Sequence, residues 1–205
     1  MRVLVACEFS GIVRDAFRVR GHDAWSCDIL PTEKPGQHIQ GDVLEILDDG
    51  WDLMVAHPPC THLCVSGARW WKEKQKDGRQ QEAIEFFKKF MDAPIDKIAA
   101  ENPVGILTKA YRKPDQYIQP FWFGDSVQKK TGLRLKNLPQ LQATNIVDRG
   151  MIYVDPRGNK HGGEHTNRAK KAYSPLMLLP RNEKRWMIRS RTFPGIAKAM
   201  AEQWG

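Results

Sequence analysis

Long apolar stretches, cysteines and low-complexity tracts are what this chain of 205 residues has least of. No apolar run approaches the ~18 residues that a membrane-spanning helix requires, so we predict no membrane association. Cys7 and Glu8 interrupt the short apolar start, and no small-residue cleavage site follows, which argues against an export signal. Without export, the four cysteines are expected to be reduced thiols in a cytoplasmic protein.

Positive charge is what the chain has in excess, with 32 Lys and Arg against 24 Asp and Glu and a net charge of +8. The basic residues concentrate between positions 129 and 191. This asymmetry favours a polyanionic partner, although basic charge alone does not identify a nucleic acid. The hydrophobic content of 41% is sufficient for a folded core, and the length suits one domain.

Hydrophobic periodicity predicts strands that alternate with helices. The predicted strands comprise residues 2–6, 23–27, 51–56, 96–100 and 131–135. The predicted helices comprise residues 12–20, 80–91 and 193–204. Residues 31–41 are predicted to be loop, and the polar residues 66–79 fit no single element. Such alternation is typical of βαβ units, so we predict an α/β fold with a mainly parallel sheet flanked by helices.

The most informative motif is Pro58-Pro59-Cys60, which follows the apolar residues 53–56. Two prolines end the hydrogen-bond ladder of the strand and stiffen the turn that follows. Cys60 is therefore expected at the carboxyl edge of the sheet, where open α/β folds bind their ligands. A structural thiol after an ordinary turn is the alternative that this segment alone leaves open.

Other polar residues also follow predicted strands, and such positions converge on one cleft in a doubly wound sheet. A glycine at such a position lets the backbone approach a ligand, a carboxylate accepts hydrogen bonds from ribose hydroxyls, and a thiolate acts as a nucleophile. A turn glycine, a solvated acid and a helix cap are the structural alternatives. The residues concerned are Phe9-Ser10-Gly11, Asp28, Asp42, Cys60 and Glu101.

Taken in order, these motifs resemble those of the DNA cytosine C5-methyltransferases. The Pro-Pro-Cys motif followed by Glu101-Asn102-Pro103 is the specific part of the resemblance. The resemblance covers residues 1–137 and resumes at 193–204, which looks like the closing helix of the family. It implies a Rossmann-like, S-adenosylmethionine-dependent methyltransferase domain made of residues 1–137 and 193–205. Residues 138–192 would form a short, basic, loop-rich segment in place of a target-recognition domain.

The resemblance implies transfer of a methyl group from S-adenosylmethionine to C5 of cytosine in DNA. Cys60 would add to C6 of the base and Glu101 would hold N3 and the amino group, supported by Asn102, Lys130 and Arg134. Asp28 would hold the cofactor ribose and Asp42 would contact its adenine. The full set of implied cofactor contacts is Phe9, Ser10, Gly11, Asp28, Ile29, Asp42, Val43 and Pro58. The implied nucleic-acid contacts are Thr61, His62, Ser66, Gln128, Lys129, Arg168, Lys170 and Lys171. No metal ion is implied.

The chain also departs from the family pattern. Val13-Arg14 stands where the family has glycines, and Thr61 stands where glutamine commonly follows the cysteine. Gly132 stands where a second arginine is expected, and Arg134 would share its strand face and substitute for it. Sequence readout needs several side chains in a groove, so the short basic segment predicts weak specificity, single-stranded DNA as substrate, or a protein partner that supplies target recognition.

Several alternatives remain open. The chain could be a non-catalytic nucleic-acid-binding protein on the same fold, or a cytosine-modifying relative with a variant cofactor or substrate. The pairing of Cys60 with Glu101 favours an enzyme, because binding alone does not need a nucleophile. Zinc is disfavoured, since the spacing of His57, Cys60, His62 and Cys64 is not that of a tetrahedral site. Residues 161–165 are expected to form a flexible loop, and Trp70-Trp71 either a mobile loop or a packed pair.

Overall fold

The structure is a computed structural model that describes residues 1–163, 171–182 and 184–205. The β-strands are β1 (Arg2–Ala6), β2 (Asp23–Asp28), β3 (His38–Gln40), β4 (Leu53–Ala56), β5 (Lys97–Pro103), β6 (Gln116–Ile118), β7 (Thr131–Lys136), β8 (Ile152–Val154), β9 (Lys160–Gly162) and β10 (Ala172–Tyr173). The α-helices are α1 (Ile12–Val19), α2 (Trp71–Lys76), α3 (Arg79–Met91), α4 (Leu107–Ala110), α5 (Arg185–Ser190) and α6 (Pro194–Trp204).

Seven strands form the main sheet in the order β3-β2-β1-β4-β5-β7-β6. The pairings among β1 to β5 are parallel, and β7 runs antiparallel to both of its neighbours. The predicted α/β class, with a mainly parallel sheet between helices, is therefore confirmed. The strand order reverses between β1 and β4, and the crevice beyond the carboxyl ends of two such strands is where open α/β sheets bind ligands.

Helices cover both faces of the sheet, which explains why its central strands are apolar throughout. Val3 and Val5 of β1 pack on one face with α1 and α6, where Phe17 and Trp204 contribute the largest buried side chains. The alternate residues of the same strands pack on the other face beneath α3. The members of that second core include Leu4, Met54, Phe87 and Phe90.

Two predicted boundaries were wrong in ways that matter for the site. The predicted loop 31–41 contains β3, a three-residue edge strand that is too short to show an alternating pattern. The predicted strand 96–100 continues through Glu101 and Asn102 to Pro103, because β7 pairs with these residues as well. Glu101 is consequently held by the sheet itself and not by a loop.

The segment 138–192 was expected to be loop-like, but it contains a second, three-stranded antiparallel sheet in the order β10-β8-β9. It also contains α5. Two predicted nucleic-acid contacts, Arg168 and Lys170, lie outside the described residues, as do Glu164 and His165 of the predicted flexible loop. Across residues 1–163, 171–182 and 184–205, no helix combines the length and apolar character that crossing a membrane requires.

Candidate active site

Cys60 lies on the loop that leaves β4, and this loop closes into a single turn. The backbone N–H groups of Leu63 and Cys64 both donate to the Cys60 carbonyl, at 3.0 and 3.1 Å. This turn carries both Cys60 and Cys64, and each of the two cysteines is half-buried. The prolines of the motif thus lead into a turn that is closed by hydrogen bonds to the Cys60 carbonyl.

The Cys60 loop is tied to the segment that follows β5. The N–H of Val65 donates to the Val104 carbonyl, and the N–H of Ile106 donates to the Leu63 carbonyl, both at 2.9 Å. A Cβ at Gly105 would lie 2.0 Å from the Leu63 carbonyl oxygen, so a side chain at this position would force the two segments apart. These contacts hold Cys60 beside the strand that carries Glu101.

Two side chains from α2 and α3 support the same loop from the other side. The Lys74 ammonium is buried and donates to the Thr61 carbonyl at 2.7 Å, and the Gln80 amide donates to the His62 carbonyl at 3.2 Å. Sequence reasoning missed both as positioning residues, because one lysine among several in a polar stretch shows no distinguishing pattern. Trp70 and Trp71 lie at the junction of a 3-10 turn with α2, and Trp70 is half-exposed beneath Arg69.

Glu101 faces the side of the sheet that α6 covers, opposite its strand partner Leu133. Its Oε1 lies 3.7 Å from His57 Nδ1, which is a charge contact longer than a hydrogen bond. Burial on its own would raise the pKa of Glu101, but the His57 imidazole and the Lys129 ammonium outweigh burial and hold this pKa below its ordinary value. Glu101 is therefore a carboxylate at neutral pH.

Several buried polar atoms in this region have no hydrogen-bond partner among the described residues. They are Glu101 Oε2, both ring nitrogens of His57 and both amide atoms of Asn102, whose side chain is 1% exposed. Leaving such a group unpaired costs about 1–3 kcal/mol, so native proteins rarely keep several together without a function. Strand alternation directs Asn102 to the sheet face opposite Glu101, so the two cannot act on one atom directly.

Of the basic residues predicted near the base, the structure brings Lys129 to the site. Its charge acts on both Cys60 and Glu101, its N–H donates to Gln119, and its ammonium donates to the Arg189 carbonyl at 2.9 Å. The Lys129 ammonium also lies 5.8 Å from the centre of the Phe193 ring. Lys129 was predicted as a nucleic-acid contact, and the structure places its charge close to Cys60 and Glu101.

Lys130 and Arg134, which were predicted as catalytic, lie elsewhere. Lys130 is exposed, with its ammonium 4.2 Å from the centre of the Tyr117 ring. Arg134 is 2% exposed, packs against Phe87 and donates twice to the Arg112 carbonyl, at 3.0 and 2.8 Å. Alternation along β7 turns Arg134 to the α3 face, away from Glu101, and burial lowers the pKa of its guanidinium. Its contacts are those of a packed structural residue.

The remaining predicted nucleic-acid contacts that the structure describes are spread over two regions. Thr61 and Ser66 are exposed and His62 is half-buried on the Cys60 loop, where burial lowers the pKa of the His62 imidazole. Gln128 is half-buried next to Lys129, and Lys171 is exposed beside β10. Thr61, His62 and Ser66 follow Cys60 on its loop and Gln128 adjoins Lys129, whereas Lys171 adjoins the small sheet.

The loop after β1 is stabilised by its own side chains. Cys7 takes a left-handed conformation with φ of 57°, and the buried Glu8 carboxylate accepts hydrogen bonds from the N–H groups of Val13 and Arg14, at 2.7 and 3.2 Å. The Ser10 hydroxyl donates to the same carboxylate at 3.1 Å. Glu8 therefore caps α1, and the Ser10 hydroxyl, predicted as a cofactor contact, is engaged in that cap.

Arg14 explains the altered glycine pattern of this loop. Its guanidinium is fully buried and donates to Ser26, Thr32 and the carbonyls of residues 34 and 35, at 3.2 to 3.3 Å. Gly11 has φ of 69°, and a Cβ there would lie 2.5 Å from Arg14 Nη2. In this chain the glycine makes room for an arginine that fastens the loop after β2.

The carboxylates of Asp28 and Asp42 both act electrostatically on Cys7, which directly follows β1. Asp28 Oδ1 accepts a hydrogen bond from Leu30 at 3.0 Å, and Asp42 Oδ1 accepts one from Leu44 at 3.0 Å. Burial raises the pKa of Asp28. Burial, and after it the charges of Asp28 and Asp42, raise the pKa of the Cys27 thiol to about 11.

The other predicted cofactor contacts lie just beyond the ends of β1, β2 and β4 or at the start of the 3-10 turn after Asp42. Ile29, next to Asp28, is 75% exposed, while Val43 and Phe9 are buried. Pro58 is buried just beyond β4, and the adjoining His57 N–H donates to the Ala6 carbonyl at the end of β1. The ring of Trp186, on α5, lies 6.0 Å from that of Phe9, so the segment before α6 packs against the loop after β1. In the part of the chain that the structure describes, no three His, Cys, Asp or Glu side chains are grouped so as to hold a metal ion.

Comparison with known proteins adds little to this geometry. No protein-family model matches the chain, and no curated protein matches it. A crystal structure from E. coli, provisionally described as a DNA modification methyltransferase encoded within a prophage, is similar with a TM-score of 0.44 and 15% sequence identity. The match covers 66% of this chain, and the chain spans 46% of the length of that protein. A likeness this distant carries no weight for function, which must be argued from the site.

Proposed function

We propose that the protein transfers a methyl group from S-adenosylmethionine to C5 of cytosine in DNA, through a covalent adduct with Cys60. The observation that supports this most directly is the convergence of a thiol, a buried carboxylate and an ammonium group. Cys60, Glu101 and Lys129 come from three separate parts of the chain and act on one another electrostatically. A protein that only binds nucleic acid has no need of such a constellation.

The chemistry of cytosine requires these groups. C5 is a poor nucleophile until a thiolate adds to C6 and makes the ring enamine-like. The Glu101 carboxylate is suited to accept a hydrogen bond from the exocyclic amino group and, after taking up a proton from solvent, to deliver that proton to N3 as electron density moves there. Lys129 would stabilise negative charge at the same place. At the end of the cycle water would take the proton from C5, the freed electron pair would form the C5–C6 double bond, and the C6–S bond would break to return the Cys60 thiolate.

The residues at the ends of β1 and β2 fit the proposed cofactor. The Asp28 and Asp42 carboxylates are oriented by backbone N–H groups of their own loops, and an exposed apolar side chain, Ile29, stands beside Asp28. Carboxylates in this position hold ribose hydroxyls in dinucleotide-binding folds, and an apolar side chain suits the face of a purine. When bound, S-adenosylmethionine supplies an electrophilic methyl group. The sheet order, with its reversal between β1 and β4, supports a Rossmann-like assignment of residues 1–137 and 193–205.

DNA is the proposed substrate because of the basic surface and the depth of the thiol. The chain carries a net charge of +8, and Cys60 is half-buried, so a cytosine must leave a base stack to reach it. The small sheet of β8 to β10 offers short strands for contact with the phosphate backbone. We infer that residues 138–192 recognise DNA weakly, as a single strand, or with the help of a partner protein.

The test is methyl transfer by the purified protein. Labelled S-adenosylmethionine and cytosine-containing DNA, both single-stranded and duplex, should yield label at C5, and Cys60→Ala should abolish it. Cys27→Ala removes a different thiol and should retain most of the transfer. DNA that contains 5-fluorocytosine should trap a covalent adduct with the wild type and not with Cys60→Ala.

Calorimetry with S-adenosylmethionine separates the enzyme from the alternative of a binding protein. Absence of label on any DNA or RNA, together with absence of cofactor binding, would sink the proposal. DNA binding without cofactor binding would favour the non-catalytic alternative. Cofactor binding with label on another atom of the base would indicate a relative that modifies cytosine differently.

A further inference from the structure

His57 is fixed on the same face of the sheet as Glu101. Its backbone N–H donates to the Ala6 carbonyl at 2.9 Å, which continues the pairing of β4 with β1 by one residue. Val55, two residues earlier, belongs to the core beneath α6, and side chains two residues apart along a strand share a face. The side chains of His57 and Glu101 accordingly line one cavity of about 20 Å³ beneath α6.

The His57 imidazole is buried and unpaired. Its side chain is 6% exposed, and neither ring nitrogen has a hydrogen-bond partner among the described residues. Buried polar groups without partners are costly, and an apolar side chain would fill the same space without that cost. The position of this imidazole therefore suggests a role beyond packing.

The contact between His57 and Glu101 is aimed but not closed. His57 Nδ1 lies 3.7 Å from Glu101 Oε1, and Glu101 Oε2 has no partner among the described residues. Hydrogen bonds between functional groups are often long before substrate binds and shorten in the complex. A small movement of either side chain would turn this contact into a hydrogen bond and would leave Oε2 unoccupied.

The other groups that line the cavity are less suited to orient the carboxylate. Lys129, before β7, contributes positive charge, but its ammonium is engaged with the Arg189 carbonyl at 2.9 Å. Thr131, at the start of β7, donates its hydroxyl to the Lys129 carbonyl at 3.4 Å. The cavity residues of α6 and of β6 are apolar: Ile196, Met200 and Ile118. His57 is thus the aromatic donor that faces Glu101 across this space.

We propose that His57 is a positioning residue that fixes the Glu101 carboxylate for the cytosine, an inference that rests on the proposed function. When the base binds, His57 Nδ1–H donates to Glu101 Oε1, and Oε2 is left to the exocyclic amino group and N3. The Nδ1 proton stays on His57 throughout, and the proton that Glu101 delivers to N3 comes from solvent. His57 thereby decides which carboxylate oxygen meets the base.

NMR of the free protein tests the contact itself. The full chain is labelled with ¹⁵N-histidine, and the signals of His57 are assigned by their absence from His57→Asn. The ring nitrogen that carries the proton is set by the hydrogen bond that it makes, so we expect the His57 proton on Nδ1. The Nδ1 signal should shift in Glu101→Gln. A proton on Nε2 alone, or an Nδ1 signal that is identical in the wild type and Glu101→Gln, would overturn the inference.

Kinetics distinguish positioning from packing. His57→Ala should lower kcat for methyl transfer by about 10²-fold, because a misaligned carboxylate no longer meets the base. KM for S-adenosylmethionine should change little, since the proposed cofactor contacts are untouched. The amide of Asn can place a donor where Nδ1 stands, so His57→Asn should recover much of kcat. His57→Gln, which places its donor near the position of Nε2, should not. His22→Ala, before β2 at the opposite edge of the sheet, is the control and should retain kcat.

The outcome is separable from that of the proposed function. Wild-type kcat in His57→Ala, or equal kcat in His57→Asn and His57→Gln, would overturn the role of His57 and leave the methyltransferase standing. An Nδ1 signal that responds to Glu101→Gln, without methyl transfer by any variant, would support the pair and reject the methyltransferase. Thermal unfolding checks that each variant folds. If His57→Ala does not fold, the comparison of His57→Asn with His57→Gln and the NMR measurement still decide.

Discussion

The two ends of the ligand-binding edge of the sheet differ in how their polar groups are satisfied. At the nucleophile edge, formed by the exits of β4 and β5, buried atoms of His57, Glu101 and Asn102 have no hydrogen-bond partner among the described residues. At the cofactor edge, formed by the exits of β1 and β2, Glu8 caps a helix, and Asp28 accepts a hydrogen bond from its own loop. Unsatisfied buried groups are costly, so under the proposed function the first set of side chains is expected to bind a ligand, whereas the second set also stabilises the fold.

Of the substitutions considered, Glu101→Gln should have the largest effect, which is a loss of methyl transfer at the nucleophile edge. The amide cannot carry a proton to N3, so methyl transfer should fall by about 10²–10⁴-fold. The free energy of unfolding should fall modestly at neutral pH, because His57 and Lys129 hold the pKa of Glu101 below its ordinary value and the carboxylate therefore favours the folded state. Initial rates with labelled cofactor and urea unfolding measure the two effects. Glu45→Gln, at an exposed site on the 3-10 turn after Asp42, is the matched control. Activity within threefold of wild type would show that the buried carboxylate is structural.

Gly105→Ala should disrupt the nucleophile edge by separating its two segments. The new methyl group would meet the backbone of Leu63, and such overpacking costs about 1–3 kcal/mol. Urea unfolding should report this loss, and the rate of adduct formation by Cys60 should fall with it. At Gly41 nothing lies within 4 Å of an added Cβ, so Gly41→Ala should be close to neutral. Equal stability of the two variants would contradict the close approach.

Glu8→Gln should act on stability at the cofactor edge and leave the nucleophile edge unchanged. The buried carboxylate accepts hydrogen bonds from two backbone N–H groups and one hydroxyl. The single carbonyl oxygen of an amide can accept only some of these hydrogen bonds. A loss of about 1–2 kcal/mol in the free energy of unfolding is expected. Alkylation of Cys60 should proceed at the wild-type rate. A change in Cys60 reactivity of the size expected for Gly105→Ala would mean that the two edges are coupled.

Asp28→Asn should show the smallest effect on stability. Burial raises the pKa of Asp28, so the folded protein binds this proton more tightly than the unfolded chain. Its contribution therefore favours folding at low pH and is lost as the pH rises through the folded-state value. At neutral pH the asparagine variant should be more stable by less than about 1 kcal/mol, since Asp28 is partly exposed. Calorimetry should show cofactor affinity reduced by about tenfold. Unchanged affinity would remove Asp28 from the cofactor site.

Much of the fold follows from local pattern. The strands β1 and β4 and the helices α1, α3 and α6 were predicted within a few residues, because both faces of the sheet are buried and the helices carry clear apolar stripes. β3 was missed because an edge strand of three residues has no periodicity to detect. The end of β5 was misplaced because the pairing that extends it comes from β7, on a distant part of the chain.

The candidate site likewise contains residues that the sequence motifs identified and residues whose positions depended on the fold. Cys60 and Glu101 were identifiable because each stands at or near the carboxyl end of a strand within a specific motif. Arg134 was assigned to the site from its spacing to Gly132, but strand alternation carries it to the other face, where it packs on Phe87. Lys129 and Lys130 are adjacent and chemically alike in sequence, and only the direction of β7 decides which of them reaches Glu101.

Short-range periodicity and residue type are enough to fix the order of the elements, the apolar strands and the chemical nature of Cys60 and Glu101. The folded chain alone shows that the Cys60 turn is hydrogen-bonded to the segment after β5, that Gly105 admits the Leu63 carbonyl, and that Arg14 fills the space beneath Gly11. These relations arise from the packing of segments that are distant in the chain or from turns that other segments hold in place. Their geometry exists only once the sheet has assembled, and no local pattern encodes it.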